Sequence, residues 1–365
     1  SWAVGASVAV FAAYAAPVVL SGQATFAGYR TLDDTATWLA LTDQVLSNGR
    51  DLGGLEPSSH EATVALNLKG GYPVGSFQPY IAFAAAMLAL SLFELTSRLV
   101  RSPRLRALAT FIAAQPALLY AYSQWSGVKE VVSAALIALF ANLLAFGLSR
   151  TDTDRQLRRL LPLGTAIAAE LAALGLGGAV WLVTGLLAAA VILALADARL
   201  LARRAVALTG FALVLSLPAL AIGGTFAENR AVLTSETELG NLIGPLDRLQ
   251  VFGIWPSTDF RLAPSHVGPT YVLLVALAVA AACGLWFAWR GRAWPLLFYV
   301  STLLVGCVVL VATGSPWIDG KAMATASTAL LLAALVGCAV FFERGRRVEA
   351  AVAFSAIAGG VLWSN

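Results

Sequence analysis

Long apolar runs alternate with short polar stretches along the whole chain, and nearly every charge sits in the polar stretches. The runs fall at 2–20, 79–96, 107–122, 131–149, 160–176, 178–196, 205–222, 270–289, 294–313, 322–342 and 350–363. Each is close to the roughly 20 apolar residues that a helix needs to cross a bilayer. The pattern predicts an all-α fold, a polytopic transmembrane helix bundle of about eleven spans, with 1–365 as a single transmembrane domain. The join between 160–176 and 178–196 rests on Gly175, Gly177 and Gly178 alone. The first run has no charged start and no A-x-A cleavage site, so it is read as a membrane helix rather than a signal peptide. With no initiating Met and no basic stretch before Trp2, the chain is expected to be part of a longer protein.

Charge gives the bundle two different ends. Arginines crowd alternate connections: Arg98, Arg101, Arg104 and Arg106, then Arg150, Arg155, Arg158 and Arg159, then Arg199, Arg203 and Arg204. Arg290 and Arg292 follow, and finally Arg344, Arg346 and Arg347. Together they are 16 of the 24 basic residues. The bias of Lys and Arg toward cytoplasmic loops puts these connections inside the cell. The opposite connections hold all three lysines, Lys69, Lys129 and Lys321, and 13 of the 20 acids. The net charge of +4 therefore reports membrane orientation and gives no support for nucleic-acid binding.

Four stretches make up the predicted outer face: 21–78, 123–130, 223–269 and 314–321. The first is the longest, and apolar residues at Trp38, Leu39, Leu41, Val45 and Leu46 approximate one face of a surface helix. Asp33 and Asp34 stand just before it, and His60-Glu61 follows further on. Two short stretches share a plan. One carries Trp125, Gly127, Lys129 and Glu130; the other carries Trp317, Asp319, Gly320 and Lys321. Polar pairs at the mouth of a span have little bulk water and need a partner or a ligand.

The remaining composition mostly excludes. Cys283, Cys307 and Cys338 lie inside apolar runs and read as buried thiols, with no disulfide framework. Two histidines in total exclude a His-rich metal site. No Walker motif or dinucleotide fingerprint is present. Glu170 stands mid-run in 160–176, where an ionisable group binds an ion or bonds a neighbouring helix.

The acidic pair Leu32-Asp33-Asp34 after the first span, with a surface helix behind it, resembles the GT-C class of integral-membrane glycosyltransferases. The resemblance covers roughly the first 130 residues, and later spans match only in number and hydrophobicity. A soluble C-terminal domain that many members carry is absent from this chain. The Ala- and Arg-rich style suggests an actinobacterial source. The resemblance implies transfer of a sugar from a polyprenyl-phosphate carrier to a glycan, lipid or protein acceptor. It puts the active site on the extracytoplasmic face of a bacterial plasma membrane, with membrane lipids as further partners. It also implies that an acid in the first outer loop is the catalytic base.

The chemistry of that reaction selects residues on the expected side. A carboxylate takes a proton from the acceptor hydroxyl, for which Asp34 or Asp33 is the candidate. The departing phosphate needs cations, and Arg30, Lys129 and Lys321 are available. Trp125 and Trp317 offer sugar platforms or an aromatic belt. Glu130, Asp319, His60 and Glu61 complete the candidate substrate-binding set. Asp33 and Asp34 leave room for a divalent cation, Mg or Mn, and either one serves equally as a helix cap. The same features fit a lipid-linked glycan transporter, polymerase or ligase, or a small-solute transporter, although no internal repeat is evident.

Overall fold

A computed structural model describes residues 1–22, 74–125, 127–148, 156–175, 177–196, 198–222 and 234–365. Arg30, Asp33, Asp34, His60, Glu61 and the expected surface helix lie outside them. The described residues are mostly helical, with no strands. In hydrocarbon every backbone amide and carbonyl must find a partner within the protein, and a helix satisfies almost all of them internally.

In chain order the helices are α1 (Trp2–Ser21), α2 (Val74–Leu95), α3 (Pro103–Ala113), α4 (Ala117–Gln124) and α5 (Val128–Leu148). After these come α6 (Leu161–Leu174), α7 (Gly177–Ala196), α8 (Ala198–Ile222) and α9 (Val267–Arg290). The last three are α10 (Trp294–Thr313), α11 (Pro316–Glu343) and α12 (Arg347–Ser364). Among the described residues, six helices are long and apolar enough to cross a membrane: α1, α2, α5, α9, α10 and α11. Their outer surfaces carry bare aliphatic rows. Val272, Val275, Val279 and Trp286 are exposed along one face of α9, and Val305, Val308 and Val309 on α10. Such rows are a liability in water and are at home against lipid.

Helix α11 is the axis of the bundle. It packs against α3, α4, α5, α9, α10 and α12, and its run from Gly320 to Val340 is almost wholly buried. Small residues make this possible. A Cβ on Gly284 of α9 would lie 1.9 Å from the Ala333 carbonyl oxygen, and one on Gly337 of α11 would lie 2.4 Å from that of Ala280. Close backbone approach through small residues is how helices associate without a hydrophobic driving force.

The run 107–122, expected as one span, is two helices with a break at 114–116. Pro116 has no amide proton, and it pushes Gln115 out of the helical region. Three of the groups released there find partners distant in sequence. The Ala114 carbonyl accepts from the Tyr14 hydroxyl at 2.8 Å. The Gln115 carbonyl accepts from Asn365 Nδ2 at 2.8 Å. The Ala117 amide donates to the Gly253 carbonyl at 3.0 Å.

Gly253 reaches this depth because part of the expected outer stretch 223–269 folds inward. A 3-10 turn, Arg248–Phe252, lies against α11. A Cβ on Gly253 would lie 2.7 Å from Pro116 and 3.6 Å from Leu331. At 1.5 Å per residue, Leu331 is about 22 Å along α11 from its start. The inward segment meets its polar needs from its own neighbourhood. Gln250 donates to the Phe260 carbonyl at 2.9 Å, the Trp255 indole to that of Leu262 at 2.9 Å, and the Trp255 amide to Ser364 Oγ at 2.9 Å.

Candidate functional site

Three stretches distant in sequence converge at one end of the bundle: the α4–α5 corner, the start of α11, and part of 234–262. The corner is tight because Gly127 donates to the Tyr122 carbonyl at 2.7 Å. A Cβ there would lie 2.8 Å from that oxygen and 3.0 Å from Glu130 Oε2. It sets Lys129 and Glu130 in the first turn of α5, where the helix dipole favours the carboxylate. Ser315 and Pro316 start α11, with Ser315 Oγ accepting from the Ile318 amide at 3.4 Å. The Trp317 amide donates to the Glu238 carbonyl at 3.2 Å. The Trp317 indole lies on Gly240, a left-handed position (φ 55°) where any Cβ would fall 2.2 Å from the ring.

The side chains that meet there make a charged cluster. Lys321 Nζ is 3.6 Å from Glu130 Oε1 and 3.7 Å from the centre of the Trp317 ring. Lys129 Nζ stands 5.6 Å from the centre of the same ring. Lys129, Glu130 and Lys321 are all buried. Glu130 Oε2 has no hydrogen-bond partner among the described residues. Two lysines and one carboxylate, paired with Lys321, thus meet beside one aromatic ring. Chemically, such an arrangement binds a phosphate, stacks a sugar ring, and orients a proton.

Sequence reasoning grouped Lys321 with Asp319, but the structure pairs Lys321 with Glu130. Residues two apart on a helix are about 200° apart around its axis, so the two α11 side chains look in different directions. Asp319 Oδ1 is buried with no hydrogen-bond partner among the described residues. Trp125 belongs to an adjoining layer. The Arg261 guanidinium sits 4.3 Å from its ring centre, and Phe260 meets it edge-on with centroids 5.9 Å apart. Tyr122 joins the layers, since it packs on Phe260 and a Cβ on Gly320 would touch its hydroxyl at 2.5 Å.

Tyr122, Gly240, Phe260 and Arg261 were not singled out from sequence. The shared Trp, Gly and Lys/acid plan signalled that two stretches matter. Nothing in it signalled which third stretch would cover them. Outside the cluster, buried Glu170 accepts from Ser133 Oγ at 2.5 Å across α5 and α6, the neighbouring-helix bond considered for it. Cys283, Cys307 and Cys338 are free thiols. Among the described residues no three His, Cys, Asp or Glu side chains group as metal ligands.

The loop part of the site carries a pH signature. Arg261 binds Asp259 through Nη2 at 2.6 Å and Nε at 3.0 Å. These bonds hold the Asp259 carboxyl below its usual range. A lowered folded pKa stabilises above the unfolded value, about 3.9, and the gain disappears as pH falls through the folded value. The thermal midpoint of the wild type is therefore expected to exceed that of Asp259→Asn at pH 6, and the gap is expected to shrink as pH falls below the unfolded value. A constant gap over that range, measured in detergent, would mean that the pair is not linked to folding.

No family model matches the sequence, and no curated protein matches it.

Proposed function

We propose that this membrane protein is a glycosyltransferase that moves a sugar from a polyprenyl-phosphate carrier to an acceptor hydroxyl. The observation that carries the reading is the cluster of buried Lys129, Glu130 and Lys321 with half-buried Trp317 at the arginine-poor end. Two lysines held beside an indole suit a sugar phosphate better than a neutral solute. The ammonium groups take the phosphate charge, and the half-buried indole offers an apolar border to the sugar.

In the proposed reaction Asp34 accepts the proton of the acceptor hydroxyl. The oxygen attacks the anomeric carbon, a new glycosidic bond forms, and the carbon–oxygen bond to phosphate breaks. The electron pair leaves with the polyprenyl phosphate, whose negative charge Lys129 and Lys321 stabilise. Glu130 holds Lys321 in place. Arg30, Asp33, His60 and Glu61 are proposed contributors from the first long connection, with Asp33 as a helix cap or as a ligand for a divalent cation. The arginine bias supports the opposite end as cytoplasmic and so supports an extracytoplasmic site in a bacterial plasma membrane.

The test is transfer of radiolabelled sugar from a polyprenyl-phosphate donor by the purified protein in liposomes, with donor binding measured in parallel. Lys129→Ala is expected to raise the donor KM about 10- to 100-fold, the scale of one charged hydrogen bond at roughly 1.5–3 kcal/mol. Movement of an intact lipid-linked glycan across the bilayer, without bond cleavage, would replace this reading with transport.

A further inference from the structure

The arginine-rich end holds a cavity of about 750 Å³, well away from the lysine cluster. It is bounded by the α2–α3 connection and by the last turns of α9 and α11, and Arg98, Arg101, Arg290 and Arg344 all line it. Leu99, Phe287 and Val340 supply an apolar wall. The cavity has one carboxylate, and it is already engaged. Glu343 accepts from the Ser102 amide at 2.7 Å and from the Arg101 amide at 3.1 Å. None of the four arginines forms an ion pair with a carboxylate among the described residues. Two of them are steered by rings: Arg344 lies 4.2 Å from the Phe287 ring centre, and Arg290 lies 5.3 Å from that of Trp286.

The surroundings say where the cavity opens. Trp286 and Trp289, on the same turns of α9 as Phe287 and Arg290, are exposed. Exposed tryptophans at the end of an apolar helix sit at the level of lipid headgroups. Four guanidinium groups against a single carboxylate, an apolar wall and an interfacial position together fit one chemistry, a phosphate ester with a hydrocarbon tail. Arginine binds phosphate oxygens in pairs, and a wall of Leu, Phe and Val accepts methylenes.

We propose that this cavity is a site for an anionic phospholipid, with the phosphate held by Arg98, Arg101, Arg290 and Arg344 and the first acyl carbons against Leu99, Phe287 and Val340. Because it is built from α9, α11 and the α2–α3 connection, an occupant ties together three elements far apart in sequence. The site requires no catalytic activity of the protein.

The experiment uses detergent-purified, delipidated protein. Phosphatidylglycerol, phosphatidylcholine and inorganic phosphate are titrated separately, with bound phosphorus and thermal midpoint as readouts. Saturable binding of phosphatidylglycerol with a rise in midpoint is expected, with phosphatidylcholine at least tenfold weaker. The double substitution Arg290→Gln with Arg344→Gln should weaken phosphatidylglycerol about 25-fold, taking about fivefold for each interfacial arginine. The control pair Arg346→Gln with Arg347→Gln removes the same charge from the same end outside the cavity and should leave affinity within threefold. Equal loss in both pairs would reduce the effect to general surface charge and overturn the site. Inorganic phosphate binding as tightly as phosphatidylglycerol would overturn the lipid assignment. Should the double variant fail to fold, Arg98→Gln with Arg101→Gln makes the same test from the opposite wall.

Discussion

Asp34→Asn is expected to lower sugar transfer by about 10²–10⁴-fold, the usual contribution of a general base. The amide keeps the size and hydrogen bonding of the carboxylate but cannot take a proton. Asp34 is favoured over Asp33 because it is nearer the predicted surface helix, whose amino end would hold it. Donor binding should survive, because the phosphate contacts are assigned to Lys129, Lys321 and Arg30. The pattern is therefore a fall in kcat with little change in donor affinity, the reverse of that expected for Lys129→Ala. Full activity in both Asp33→Asn and Asp34→Asn would remove the base from the mechanism and with it the main argument for glycosyl transfer.

Gly284→Leu is expected to prevent recovery of folded, monodisperse protein. The contact of α9 with α11 is the most extensive helix pair among the described residues. A first side-chain carbon at position 284 would already lie 1.9 Å from the Ala333 carbonyl oxygen. That obstacle is backbone on a buried central helix, so no rotamer change relieves it. Gly284→Ala alone should cost about 1–3 kcal/mol, the scale of overpacking in a close-packed interior. The larger side chain adds three carbons to the same gap and would separate the helices along their length. Size-exclusion profiles and thermal midpoints in detergent read both variants. A Gly284→Leu protein with the wild-type midpoint would show that the two backbones do not approach so closely.

Much of the bundle is legible from hydropathy, because lipid imposes one rule on every span. The segments 294–313 and 178–196 match α10 and α7 almost to the residue. Two features are harder to read. Pro116 lies within an apolar run, so its effect on the helix is masked by neighbours that suit hydrocarbon equally well. The inward turn near Gly253 depends on Leu249, Val251, Phe252 and Ile254, an apolar stretch too short to register as a span inside a long polar connection. The candidate site shows the same division. Residue types and membrane side are local properties, and they marked Lys129, Glu130, Trp317 and Lys321. The pairing of Lys321 with Glu130 depends on how α11 is rotated in the bundle, and its neighbours in sequence do not encode that.

The break between α3 and α4 also bears on the order in which the protein is assembled. Its freed groups are satisfied by Tyr14, 100 residues before Ala114, by Gly253, and by Asn365, 250 residues beyond Gln115. Helices enter a membrane as they are synthesised, so the kink is made long before two of its three partners exist. Until residue 365 has been translated and α12 has docked, those amide and carbonyl groups must be met by water or by a chaperone in the membrane. The corner that shapes the middle of the bundle is therefore inserted long before its partner 250 residues further along the chain is made.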